Sequence, residues 1–361
     1  MHTPIPSTSV DTELEVQLFG QPLTHGTLPR WAPFATLAAA IVVGIVLDDI
    51  GLAIGVAAVA AVAFYAATIY LWSRTVEGHR KAKDRVLTTV VTSAFLLALL
   101  PLVSMVITVV QNGIQRLDTE FLSFSMRSIV GEGGGAYHAI LGTLIITGLA
   151  ALISVPIGML CAIYLVEYGG GKLAKAITFF VDVMTGIPSI VAGLFAYALF
   201  ALLFGPGVRM GIMGAIALSV LMIPIVVRST EEMLKLVPNE LREAAYALAV
   251  PKWRMITKVV LPTALAGIAT GVTLAIARII GETAPLLITV GITTGVNMNP
   301  FDGRMSALPV FSYYEYIRTG IHTAASQDRA WTAALILIII VMLLNLAARL
   351  ISRLFAPKTR A

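Results

Sequence analysis

Charge is scarce in this sequence. Of 361 residues only 12% are charged, about half of the ~25% that a soluble domain carries. With hydrophobic residues at 58%, that shortage excludes an ordinary soluble fold and points to a bilayer as the solvent. Cysteine is nearly absent: the single Cys161 lies in an apolar run and has no partner for an intrachain disulfide. The five histidines, His2, His25, His79, His138 and His322, are scattered without ligand spacing, so no metal site is expected. A phosphate-binding loop of the Gly-x-x-x-x-Gly-Lys-Ser/Thr kind is missing too. Gly169-Gly170-Gly171-Lys172 lacks the earlier glycine and the Ser/Thr, and the chain itself is not expected to hydrolyse ATP. The net charge of +5 calls for no nucleic acid, because the position of the cations accounts for it.

Long apolar runs are what the chain has instead. Eight runs, near 31–47, 51–72, 86–110, 138–165, 176–204, 211–233, 262–292 and 331–355, are long enough to cross about 30 Å of hydrocarbon. Pro285 is expected to bend or break the longest of them, 262–292. Residues 1–30 are polar and proline-dotted. They lack the basic start and early apolar core of a secretory signal, and are expected to form a disordered tail. Of the 25 lysines and arginines, 18 fall on the side of the chain termini, six on the other side, and Arg278 inside a run. That bias puts both termini in the cytoplasm. A basic linker, 73–85, separates an N-terminal hairpin, 31–72, from the remaining six spans. Two outer loops, 111–137 and 293–330, offer contact surfaces, and Tyr313 and Tyr314 in the second read as interfacial anchors.

One polar island lies between the apolar runs, at Glu243-Ala244-Ala245-Tyr246-Ala247-Leu248-Ala249. As a helix it places Leu241, Ala244, Ala245 and Leu248 on one narrow face. Asn239 suits the N-cap and Pro251 the stop. The cationic run Lys252-Trp253-Arg254-Met255-Ile256-Thr257-Lys258 follows. An amphipathic helix resting on anionic lipid headgroups would satisfy this pattern; so would an alanine-faced knob that lets another protein's groove approach its backbone.

The spans also hold charges that hydrocarbon does not tolerate. Arg278 and Glu282 are four apart in the seventh run, hence on one helix face. Counted from Pro262, Arg278 lies roughly 24 Å along that helix. A charge at such depth costs several kcal/mol unless it faces protein or water. Either the two form an ion pair that staples the bundle, or the guanidinium meets an anion in transit while Glu282 holds it between passages. Arginine suits an oxyanion because its fork donates two parallel bonds. Asp182 is a third such charge, expected to pair with Arg278 or to line the path. Pro188, in Ile187-Pro188-Ser189, frees backbone groups that lipid cannot satisfy, and reads as a gate or a plain bend. Gly186 and Gly193 read as points of close helix packing.

Three of these stretches resemble one family. Glu243-Ala244-Ala245, a small residue four further on at Ala249 and Leu261-Pro262 beyond it resemble the "EAA" coupling loop of ABC importer permeases. The family usually has glycine where this chain has Ala249; alanine tolerates a positive φ poorly, so with Val250-Pro251 forcing an extended exit the turn is expected to be made differently here. Ala277-Arg278-Ile279-Ile280-Gly281-Glu282-Thr283-Ala284-Pro285-Leu286-Leu287 and Thr185-Gly186-Ile187-Pro188-Ser189-Ile190-Val191-Ala192-Gly193-Leu194-Phe195 are similar to signatures of phosphate-specific permeases of the PstA type. The likeness covers about 80–355 and implies an all-α polytopic membrane protein. Its core would be a six-helix, MetI-like permease at 86–355, with a coupling loop at 238–262 and a short tail at 356–361; the extra hairpin makes eight spans.

It further implies a non-enzymatic subunit of an inorganic phosphate importer in the bacterial cytoplasmic membrane. Arg278, Glu282, Asp182, Thr283 and Ser189 would line the path, and Pro188 and Pro285 would gate or kink it. Glu243, Ala244, Ala245, Leu248, Ala249 and Pro262 would meet an ATPase. Implied partners are a second, PstC-like permease, two PstB-like ATPases that hold the ATP and Mg, a PstS-like phosphate-binding protein outside, and membrane lipid. No cofactor, metal or nucleic acid is expected on this chain. A permease for sulfate, molybdate or phosphonate, or a scaffold that reports phosphate status, are the alternatives. A membrane enzyme lacks any nucleophile–base constellation.

Overall fold

The computed structural model describes residues 26–320 and 322–355, and every described element is a helix or a connecting turn. The tails 1–25 and 356–361 lie outside the described residues. The chain divides into two compact units, 1–106 and 107–361. Seven helices are long and apolar enough to span a membrane, and an eighth span results if one sharply bent pair counts as one.

In the first unit, α1 (Ala32–Asp49) and α2 (Ile54–Val76) form the expected hairpin. Alanine lets the two approach closely, with Ala40 and Ala57 buried between them. Trp31 and Trp72 close the open end edge to face, 5.6 Å between centroids. The expected linker 73–85 is not a loop. α2 continues to Val76 and α3 (His79–Gly113) begins after two intervening residues, so the cations of that stretch sit on helical turns. The break is clamped by Glu77, which is 4% exposed. Its carboxylate accepts from Leu28 N at 2.9 Å, Ser73 Oγ at 2.7 Å, and Arg85 Nε and Nη2 at 2.7 and 3.0 Å. Leu28 is buried, so residues 26–30 are ordered where a disordered tail was expected.

The second unit starts with the end of α3 and a short α4 (Thr119–Ser123), then α5 (Tyr137–Ile163). The run 176–204, expected as one span, is α6 (Gly171–Thr185) and α7 (Ser189–Phe204), bent by 109° at Gly186–Pro188. Proline supplies the break, since it cannot continue α6 and caps α7 from outside. α8 (Gly211–Lys235) is the most buried helix and packs along α5. α9 (Asn239–Ala247) is the polar island; α10 (Lys252–Met255) runs through a π-turn, Ile256–Val260, into α11 (Leu261–Ile279) without interruption. A proline at 262 removes a backbone donor, and the widened turn before it is how a helix absorbs that loss. The seventh span therefore starts at Lys252, ten residues before its apolar run. α11 lies on α8 through Gly267 and Gly271, whose missing side chains leave room for Met233 and Ser229.

α12 (Ala284–Thr289), α13 (Leu308–Ile317) and α14 (Thr323–Phe355) complete the chain. The loop 293–330 is less open than its sequence implies. Met305, Ala307, Leu308, Val310 and Phe311 are all buried, and Leu308 N donates to Thr143 Oγ1 at 2.7 Å. Arg329 ties this loop to the loop 111–137, donating to Glu315 at 2.8 Å and to Gly131 O at 2.7 Å.

Candidate functional site

Two places hold the residues singled out above, one at each end of the rod Lys252–Ile279. At 28 residues that rod is roughly 40 Å long.

The first place is α9 and its flanks. Pro238, not Asn239, is the N-cap, and it caps with no side chain. Asn239 instead takes a bond from Arg242 Nη1 at 3.3 Å. Arg242 holds this corner together. It donates to Leu234 O at 2.9 Å and Val237 O at 2.6 Å, and through Nε and Nη2 to Glu167 at 3.0 and 2.9 Å. Glu167 lies in the π-turn Tyr164–Tyr168 that ends α5. The pair is nearly dry, side chains 13% and 5% exposed. Sequence reading passed over Arg242 because it looked like one more loop cation. Its signal is faint: an arginine three residues after the helix start, with orphan carbonyls of the preceding helix within reach.

The turn after α9 departs from expectation. Ala249 adopts φ +55°, the left-handed conformation that favours glycine. Ala249 N donates to Tyr246 O at 2.9 Å and Val250 N to Ala245 O at 3.1 Å, the bond pair of a Schellman cap. Alanine thus makes the turn that glycine would make. Ala245 faces inward, 7% exposed, among Leu234, Val237, Met255 and Val260. Leu241, Glu243 and Ala244 are exposed, and Leu248 is 79% exposed. Lys252 Nζ sits 4.7 Å from the Tyr168 ring centre and Arg254 5.3 Å from that of Trp253. Pro262 lies ten residues along the rod from Lys252 and is exposed.

At the far end, Arg278 is in the last turn of α11 and exposed, with no ion pair among the described residues. The expected shared face with Glu282 does not form. The helix ends at Ile279, and Glu282 belongs to the turn that follows, its backbone N bonded to Ile279 O at 3.1 Å and its side chain half-buried. Thr283 precedes α12 without capping it. Pro285 takes the second position of α12, where its missing N–H costs nothing, and is buried. Ser189 opens α7.

The structure brings the two signature stretches together. A Cβ on Gly193 would lie 2.7 Å from Pro285 Cα, so α7 rests directly on the backbone of α12. It does not bring Asp182 to Arg278. Asp182 pairs with Arg228, which also donates to Glu231 at 2.9 Å, and Glu231 accepts from Lys235 at 2.7 Å. This ladder lies in the half of α8 nearer α9. The signal that would have found it is the 3–4 spacing of Arg228, Glu231 and Lys235 on one helix face.

Comparison with known proteins adds the following. The family described as the binding-protein-dependent transport system inner membrane component matches residues 154–361. The phosphate transport system permease protein PstA 1 of Mycobacterium tuberculosis is 45% identical over 275 residues, 75% of this chain and 89% of that one. PstA of Pasteurella multocida is 40% identical over 279 residues, 75% and 95% of the two chains. PstA of Yersinia pestis is 37% identical over 297 residues, 81% and 96%. Among solved structures, a bacterial alginate ABC transporter in complex with alginate pentasaccharide-bound periplasmic protein has a similar fold. Its TM-score is 0.55 at 15% identity, covering 75% of this chain and 95% of that one.

Proposed function

The chain belongs to the inner-membrane components of binding-protein-dependent transport systems, with the PstA phosphate permeases, and on that premise we propose that it supplies half of a path for inorganic phosphate. One observation carries the reading: an exposed helical knob and an unpaired guanidinium sit at opposite ends of one unbroken helix, Lys252–Ile279. A push on α9 moves a rigid rod, and the rod carries Arg278.

An exposed arginine in a span must face protein or water rather than lipid. With no acid among the described residues paired to it, Arg278 is free for a doubly charged oxyanion, to which its fork donates two bonds at once. Glu282 and Thr283 border the same turn, and Ser189 lies one element away on α7. The knob presents Leu241, Glu243, Ala244 and Leu248 to a cytoplasmic ATPase. Ala245 and the Ala249 turn set how far α9 stands from the bundle, and Pro262 follows the widened turn near the start of the rod. Half a path and one knob call for a second permease chain and a pair of ATPases, which hold the ATP and Mg. A phosphate-binding protein serves the opposite face, and both termini are cytoplasmic.

The test is ATP-driven uptake of labelled phosphate by the assembled transporter in proteoliposomes. Arg278→Gln is expected to lower uptake roughly a hundredfold, the worth of two charge-assisted bonds. Excess sulfate should leave wild-type uptake unchanged. Normal uptake by the variant would remove Arg278 from the path, and equal competition by sulfate would replace phosphate with another oxyanion.

A further inference from the structure

Two more arginines converge at the end of the bundle opposite α9. Arg209 precedes α8, whose other end leads into α9, and Arg304 lies in the loop between α12 and α13. They meet at Gly291, two residues after α12. A Cβ built there would lie 2.9 Å from Arg209 Cδ, 3.3 Å from Arg209 Nη1 and 3.3 Å from Arg304 Cδ. Gly291 is itself buried at φ +72°, so both its conformation and its lack of a side chain are what let the two arms share one spot. Neither guanidinium has an ion pair among the described residues; Asp302, two residues from Arg304, pairs with neither. Two guanidiniums whose side-chain stems meet at one point, without a counter-ion among the described residues, repel each other, and an anion between them would turn that repulsion into attraction.

The arrangement is built rather than accidental. Asn297 Nδ2 donates to Asp302 O at 2.8 Å and to Arg304 O at 3.1 Å. Asn297 Oδ1 and Asn299 Oδ1 accept from Asn299 N at 2.8 Å and Phe301 N at 3.0 Å. The loop is further pinned by Pro300 O, which accepts from Ile212 N at 2.8 Å, and by Met305 N, which donates to Val290 O at 3.2 Å. The last two bonds fix Arg304's loop to the start of α8, where Arg209 is, and to the end of α12.

We propose that Arg209 and Arg304 form an oxyanion-receiving site at the mouth of the path, distinct from Arg278 and separated from it by the turn 280–283 and α12. The ligand is a small tetrahedral dianion, bridged by two forks. The site rests on the phosphate reading above and deepens it: an anion released at the outer face meets this pair first and Arg278 next.

The experiment is arginine modification by phenylglyoxal on the whole transporter in proteoliposomes, without added binding protein, followed residue by residue by mass spectrometry. Millimolar inorganic phosphate is expected to protect Arg209 and Arg304 together, while chloride at equal ionic strength protects neither. Arg209→Gln should weaken protection at Arg304 about tenfold or more, and Gly291→Ala should abolish paired protection by driving the arms apart. Equal modification with and without phosphate would overturn the proposal, as would protection that needs the binding protein and no phosphate, which marks a protein-docking patch instead. If the pair stays unprotected while Arg278→Gln still loses uptake, only this inference falls. If the wild-type transporter takes up no phosphate, the functional reading falls first and this site with it.

Discussion

Ala249 carries a cost that its neighbours offset. An L-residue in the left-handed region loses about 1–2 kcal/mol, and two backbone bonds to Tyr246 O and Ala245 O return a comparable amount. Ala249→Gly removes the cost and keeps the bonds. It is expected to stabilise the end of α9 by about 1 kcal/mol, seen as slower amide exchange at Val250; faster exchange would show that the turn is not the one described. From sequence the alanine argued against a left-handed turn, because residue preference is legible locally while the two capping bonds are not. Glu77 shows a second such local balance. Its hydrogen bonds from Arg85 outweigh burial and, with those from Leu28 N and Ser73, hold the carboxyl at about 2 rather than 4.5. A depressed folded-state value means the stabilisation is complete above pH 4.5 and is lost as pH falls through about 2. Thermal unfolding of the solubilised chain should fall over that window, and Glu77→Gln should flatten the dependence while lowering stability at neutral pH. Nothing in the sequence singled out Glu77, since its partners come from three separate stretches.

At the scale of elements, hydropathy placed most spans correctly, because a helix that faces lipid must be apolar along its length. It failed where helices project beyond hydrocarbon. The cations at 73–85 read as a linker and those at 252–258 as a run before the next span, yet both stretches are helical, the second through a π-turn, since charge reports the solvent and not the backbone. The break between α6 and α7 was legible in Pro188, whereas the buried stretch 305–311 was not, because a mixed polar and apolar segment reads as a loop until its partners in α5 and α14 are known. The pairing of Asp182 with Arg228 was hidden for the same reason. The coupling corner depends most on Arg242. Arg242→Gln leaves Glu167 buried and uncompensated, a loss of roughly 3 kcal/mol, and frees α9 from α5 and α8. Limited proteolysis at Lys252 and Arg254 is expected to speed up, and phosphate-stimulated ATP hydrolysis by the assembled transporter to uncouple from uptake. Unchanged proteolysis would mean that α9 is held by packing around Ala245 alone.

Across the whole molecule, one span serves two ends. Its first turns bear the cations next to α9, its middle rests on α8 through Gly267 and Gly271, and its last turn presents an arginine with no ion pair among the described residues. On the function proposed above, such a charge is kept in a span because the other half of its surroundings would come from a second permease chain and from the anion in transit. The direct measurement is water access at position 278. Cys161 is the only cysteine, so Arg278→Cys in a Cys161→Ser background gives one reactive thiol. Assembled in proteoliposomes, it should react with a membrane-impermeant thiol reagent, and ATP should change the side from which it reacts. A thiol at 278 that no aqueous reagent reaches from either side, with or without ATP, would contradict the account.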